Sequence, residues 1–163
     1  MSSPAIPLGD HREKNPGQGF TLIELLIAMT IIGALVAIAV PWYQSYRDQA
    51  DINKTITEAR TIDAQIQLYR QANNSYPSSL TVVPQGDILD PWGNPFQYLL
   101  IEGNTKAKGN ERKDKSLVPI NSDYDLYSMG ADGKSSPPLT SKNSQDDIVR
   151  ANNGGYFGLA SNY

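Results

Sequence analysis

At 163 residues with a formal net charge of −3, the chain has room for one apolar anchor and one small domain, and lacks the basic surplus that nucleic-acid binding requires. It contains no cysteine and a single histidine, His11, so no disulfide staples the fold and no histidine-based triad or metal centre can form beyond the N-terminal segment. Composition thus excludes nucleic acid as a partner, argues against an enzyme, and points to protein partners.

Residues 1–19 mix Pro4, Pro7, Gly9, Pro16 and Gly17 with charged side chains and cannot build a core. The sequence Gly19-Phe20-Thr21-Leu22-Ile23-Glu24-Leu25-Leu26 follows, and from Leu25 to Val40 there is no charge and only Thr30 is polar. At about 1.5 Å per residue such a helix can cross a bilayer. Glu24 is the anomaly, because a carboxylate left in hydrocarbon costs about 2–3 kcal/mol or more and needs a partner group. Arg12 and Lys14 precede the run while Arg47, Lys54 and Arg60 follow it, so charge alone sets no orientation. Gly33 and Pro41 interrupt the apolar helix, and a kink or melted stretch is expected between them.

A polar basic leader ending in glycine, an apolar run placed after the junction, and a glutamate behind Phe20 resemble the class III signal of type IV pilins and type II secretion pseudopilins. The resemblance implies cleavage after Gly19 by a membrane aspartyl prepilin peptidase, methylation of Phe20, and assembly through Phe20 and Glu24. It divides the chain into a leader (1–19), a transmembrane and filament-core helix (20–43) and a periplasmic globular domain (44–163). Many type IV pilins close their C-terminal region with a disulfide, so the absence of cysteine favours the pseudopilin branch and a bound metal as the staple.

Past Trp42, Tyr46, Ala50, Ile52, Ile56, Ala59, Ile62, Ile66 and Tyr69 recur at three- and four-residue steps, which predicts an amphipathic helix continuing the anchor. Asn73-Asn74-Ser75 and Pro77 end it. Residues 78–87 form a connector. The segment Asp90-Pro91-Trp92-Gly93-Asn94-Pro95-Phe96-Gln97-Tyr98 is a turn cluster leading into a strand through Ile101, with Trp92 expected to pack on the helix stripe. The block is similar to the signature loop of major pseudopilins. Residues 103–115 are rich in Lys and Arg and read as a solvated loop, an insertion relative to that family, with pairing to a neighbouring subunit's acidic groups as the sharper alternative.

Tyr124 to Met129 alternates as a strand and opens into Gly130-Ala131-Asp132-Gly133, with Asp146-Asp147-Ile148 downstream. Hard cations take six to eight oxygens, which clustered aspartates in a glycine-containing loop can supply, although the EF-hand pattern is missing. The same stretch resembles the calcium loop of major pseudopilins. That resemblance implies side-chain ligands Asp132, Asp146 and Asp147, carbonyl ligands from Met129 and Lys134, and calcium as cofactor.

The expected fold is α+β: a long N-terminal helix packed against a small antiparallel sheet bearing a calcium-binding loop. The function implied is that of a structural subunit held in the inner membrane by a single span and polymerised into a periplasmic pseudopilus for type II secretion. Minor pseudopilins and the inner-membrane secretion platform are the implied partners. A surface type IV pilin, or a membrane-anchored calcium-binding module that never polymerises, are the alternatives.

Overall fold

The computed structural model describes residues 19–163, so all of the expected leader except Gly19 lies outside the described residues. Helix α1 runs from Leu22 to Asn73. Asn74 follows in the left-handed conformation (φ 53°), a backbone state asparagine tolerates, and it closes the helix where the sequence signals placed its end. No melted stretch interrupts α1 between Gly33 and Pro41: the helix is continuous through both. One proline removes a single amide donor, and the hydrogen bonds of the neighbouring turns keep the segment helical.

The chain divides into one unit ending at Tyr43 and a second, Gln44–Tyr163. In the first, none of the most apolar 18-residue window of α1 is buried. In the second, Thr55, Ala59, Ile62 and Ile66 of α1 are buried. The stripe read from the sequence is therefore covered from Thr55 onward, whereas Tyr46 and Ala50 remain exposed.

Four short strands form an antiparallel meander in the order β1-β2-β3-β4. Their ranges are β1 Gln97–Leu100, β2 Tyr124–Ser128, β3 Ile148–Ala151 and β4 Tyr156–Leu159. Register pairs Tyr98 with Leu126, Tyr127 with Val149, and Arg150 with Phe157. Successive side chains of a strand face opposite sides, and here both sides are covered. Tyr124 and Leu126 join Ala59, Ile62, Ile66, Leu80, Val83 and Phe96 in the helix-facing core. Tyr127, Val149 and Ala151 join Ile120, Leu139 and Ala160 in a second core on the other face. Loop segments make that second layer: Lys113 N–H donates to the Pro137 carbonyl (3.0 Å), Leu139 N–H to that of Lys113 (2.8 Å), and Ile120 N–H to that of Arg112 (3.0 Å).

Two sequence expectations change. Phe96, not Trp92, enters the helix-facing core, with Trp92 half-buried outside it. The 103–115 segment is not wholly solvated either, since Glu111 and Arg112 are buried while Lys106, Lys108 and Lys115 stay exposed.

Candidate functional site

At the N-terminal junction, Gly19 and Phe20 precede the first helical residue and both are exposed, Phe20 at 83%. Glu24 and Thr21 form a reciprocal capping box. Thr21 N–H and Thr21 Oγ1 donate to Glu24 Oε2 (3.0 and 2.9 Å), and Glu24 N–H donates to Thr21 Oγ1 (3.2 Å). The spacing Thr-x-x-Glu satisfies two of the amides that a helix start leaves unpaired. Glu24 thus has a local partner within its own chain, which the sequence reading did not assign although the capping spacing was there to be read.

The Asp90 loop is locked from within. Asp90 Oδ1 accepts the N–H groups of Trp92 (3.1 Å) and Asn94 (2.8 Å), and Oδ2 accepts the Ser128 hydroxyl at 2.6 Å. Asn94 Nδ2 then donates to the Gly130 carbonyl at 3.0 Å. Buried Asp90 therefore organises the turn that Trp92 was expected to anchor, and ties it to the start of the 130–147 loop. Gly130 sits at φ 64°, and a Cβ there would lie 2.3 Å from the Asp146 carbonyl oxygen, so both conformation and space require glycine.

The residues expected to hold calcium are distributed as follows. Asp132 is exposed, and its Oδ1 accepts the Lys134 N–H at 2.8 Å. Asp146 is half-buried, and its Oδ2 accepts the Asp132 N–H at 3.0 Å. Met129 follows β2 directly and is half-buried; Lys134 is exposed. Asp147 is fully buried, and its Oδ2 accepts both the Ser135 hydroxyl (2.6 Å) and the Arg112 guanidinium. Burial pushes the Asp147 carboxyl upward from its ordinary value, and the Ser135 hydrogen bond and the Arg112 charge pull it back. Among the described residues no group of three or more His, Asp or Glu side chains is placed to hold a metal ion. A divalent cation needs its carboxylates turned toward one point; here one oxygen each of Asp132 and Asp146 accepts a backbone amide, and Asp147 Oδ2 accepts Ser135 and Arg112 while its buried Oδ1 makes no hydrogen bond among the described residues, so the three do not converge as a calcium donor set.

A second buried charge network lies on the helix face. Arg150 Nε donates to Asp63 Oδ1 of α1 (2.6 Å), while Nη1 and Nη2 form a bidentate pair with Asp123 (2.8 and 2.7 Å). Tyr124 Oη also donates to Asp63 Oδ1 at 2.5 Å, and the Arg150 guanidinium lies 4.0 Å over the Tyr124 ring. Burial works to lower the Arg150 pKa, but its partners raise it overall. The network joins helix to sheet.

Comparison with known proteins gives a consistent picture. The family model for the prokaryotic N-terminal methylation motif matches residues 14–40. The chain is 32% identical over 143 residues to type II secretion system core protein G of Pseudomonas aeruginosa, covering 75% of this chain and 89% of the relative. It is 27% identical to the protein of the same name from Aeromonas hydrophila (75% and 88% covered). It is also 27% identical to that of Vibrio cholerae (71% and 82% covered). No solved structure matches the chain. With identity extending over most of both sequences, the chain belongs to the type II secretion system core protein G family, the major pseudopilins.

Proposed function

We propose that the chain is the structural subunit of a periplasmic pseudopilus that drives type II protein secretion, and that it polymerises through its N-terminal apolar segment. The observation carrying this reading is the uncovered stretch of α1. From Phe20 to Tyr43 fifteen large apolar or aromatic side chains are about half exposed or more. Leaving that surface in water costs on the order of 20 kcal/mol, so it requires a cover. Lipid supplies one before assembly, with a single span in the inner membrane and residues 44–163 in the periplasm. Copies of the same segment supply the other in the filament.

Prepilin peptidase would cut the exposed Gly19-Phe20 junction and methylate Phe20, and the chain would then meet minor pseudopilins and the inner-membrane secretion platform. In the filament Glu24 would exchange its capping contacts for the terminal amine of a neighbouring Phe20, a charge pair that offsets the cost of holding each group out of water. The role is structural rather than enzymatic. Deleting the gene in its native host should trap type II substrates in the periplasm, and the full chain supplied from a plasmid should release them. Unchanged secretion in the deletion strain would overturn the proposal.

A further inference from the structure

The family resemblance implies that a divalent cation organises residues 129–147, yet a guanidinium contacts Ser135, Ser136 and Asp147 of that loop. Arg112 is 2% exposed, and it reaches the loop from a segment fastened on both sides. Its N–H donates to Asp125 Oδ2 of β2 (2.6 Å), and its carbonyl accepts the Ile120 N–H (3.0 Å). The planar head lies 4.3 Å over the Tyr127 ring. Nη1 donates to Ser135 Oγ (2.5 Å) and to the Ser136 carbonyl (2.6 Å), and Nη2 pairs with Asp147 Oδ2.

One cation thus gathers a carboxylate, a hydroxyl and a carbonyl from a single loop, the same kinds of oxygen a hard metal ion collects. A guanidinium suits the task because it is permanently charged, weakly hydrated and fixed in a planar fork. Ser135 reinforces it by donating to the same Asp147 oxygen at 2.6 Å. Asp147 Oδ1 and Arg112 Nε make no hydrogen bond among the described residues. A divalent ion at Asp147 would sit against this fixed positive charge, which opposes its binding.

We propose that Arg112 is the resident cation of the 130–147 loop, and that the loop is ordered by this side chain in place of calcium. The basic segment that carries it therefore acts as an internal staple of the cysteine-free domain. The inference concerns the metal requirement alone and stands whether or not the chain polymerises.

The test uses the full chain purified in detergent. Bound metal is measured by equilibrium dialysis against calcium chloride, and the melting temperature is compared in millimolar calcium and in chelator. The expected result is no stoichiometric calcium and the same melting temperature in both. One calcium per chain, or a melting temperature several degrees higher in calcium, would overturn the proposal, because a ligand bound well below its working concentration must stabilise the folded state. A second arm separates the ion pair from general damage. Arg112→Gln should lower the melting temperature in both conditions, and Arg112→Gln with Asp147→Asn should recover more than half of that loss. A double variant melting below Arg112→Gln would refute the pairing.

Discussion

Arg150→Ala should be the most damaging single truncation in the globular unit. The arginine side chain is 1% exposed, and those of Asp63 and Asp123 are 20% and 12% exposed. Removing the guanidinium leaves two mostly buried carboxylates without their cationic partner and also strips the Tyr124 ring of its own. Breaking a buried pair by deleting one member costs about 3–5 kcal/mol, because the remaining charge is left without compensation. In a domain of about this size that corresponds to a fall in melting temperature of about 10–20 °C. Circular dichroism of the full chain in detergent, followed through the thermal transition, measures it. Arg150→Met with Asp63→Asn and Asp123→Asn should recover much of the loss, since no charge is then buried alone. A loss below about 1 kcal/mol for Arg150→Ala would refute the reasoning, because it would place the network in the range of solvent-screened surface pairs.

Asp125 lies in β2 at 1% exposure, and burial raises its carboxyl from 3.8 to about 6, against the pull of the Arg112 N–H and the Asn121 amide. A folded-state pKa above the unfolded one contributes stability below about pH 4 that is lost as pH rises through about 6, here about 3 kcal/mol. Denaturation of Asp125→Asn beside the parent should therefore show the variant gaining relative stability across that interval, and a constant difference would contradict the assignment. Glu24→Gln keeps the capping-box geometry with Thr21 and removes the charge, whereas Glu24→Ala removes both. If charge pairing drives assembly, both variants should lose filaments in the native host, and normal assembly of Glu24→Gln would show that the cap alone matters. Processing after Gly19 should leave Phe20 as an N-methylated terminus in protein from that host, and an intact mass still containing residues 1–19 would end the class III signal assignment.

Helix α1 was legible because its period, its apolar run and its Asn73-Asn74-Ser75 stop are local signals. Strands β1 and β2 carried runs of strand-forming residues, and the structure trims each by one or two residues at its ends. Strands β3 and β4 were missed, since Ile148–Ala151 places Arg150 toward the helix and Tyr156–Leu159 is broken by Gly158 in pattern, so neither alternates in polarity.

 The second core was invisible for a different reason. Its cover comes from loop residues such as Ile120 and Leu139, whose burial depends on long-range pairing between segments around 113 and 138 that no local pattern encodes.

At the 130–147 loop the sequence identified the acidic residues but not the cation that meets them. Arg112 stands among lysines, and a run of like charges reads as solvated. Only the fold brings it against Tyr127 and Asp147. Asp90 was likewise read as part of a turn, and its bond to Ser128 depends on a strand placed far along the chain. The apolar segment was the opposite case: its exposure follows directly from composition, because no other part of so short a chain carries enough apolar surface to cover it.

Polymerisation through that segment can be seen by electron cryomicroscopy of filaments from a host overproducing the full chain. Helical filaments are expected in which the Leu22–Val40 stretches of successive subunits pack against one another along the axis, with Glu24 beside the terminal amine of a neighbouring Phe20. Recovery of the chain only as dispersed subunits in the inner membrane, with no filament in either the periplasmic or the sheared surface fraction, would contradict it.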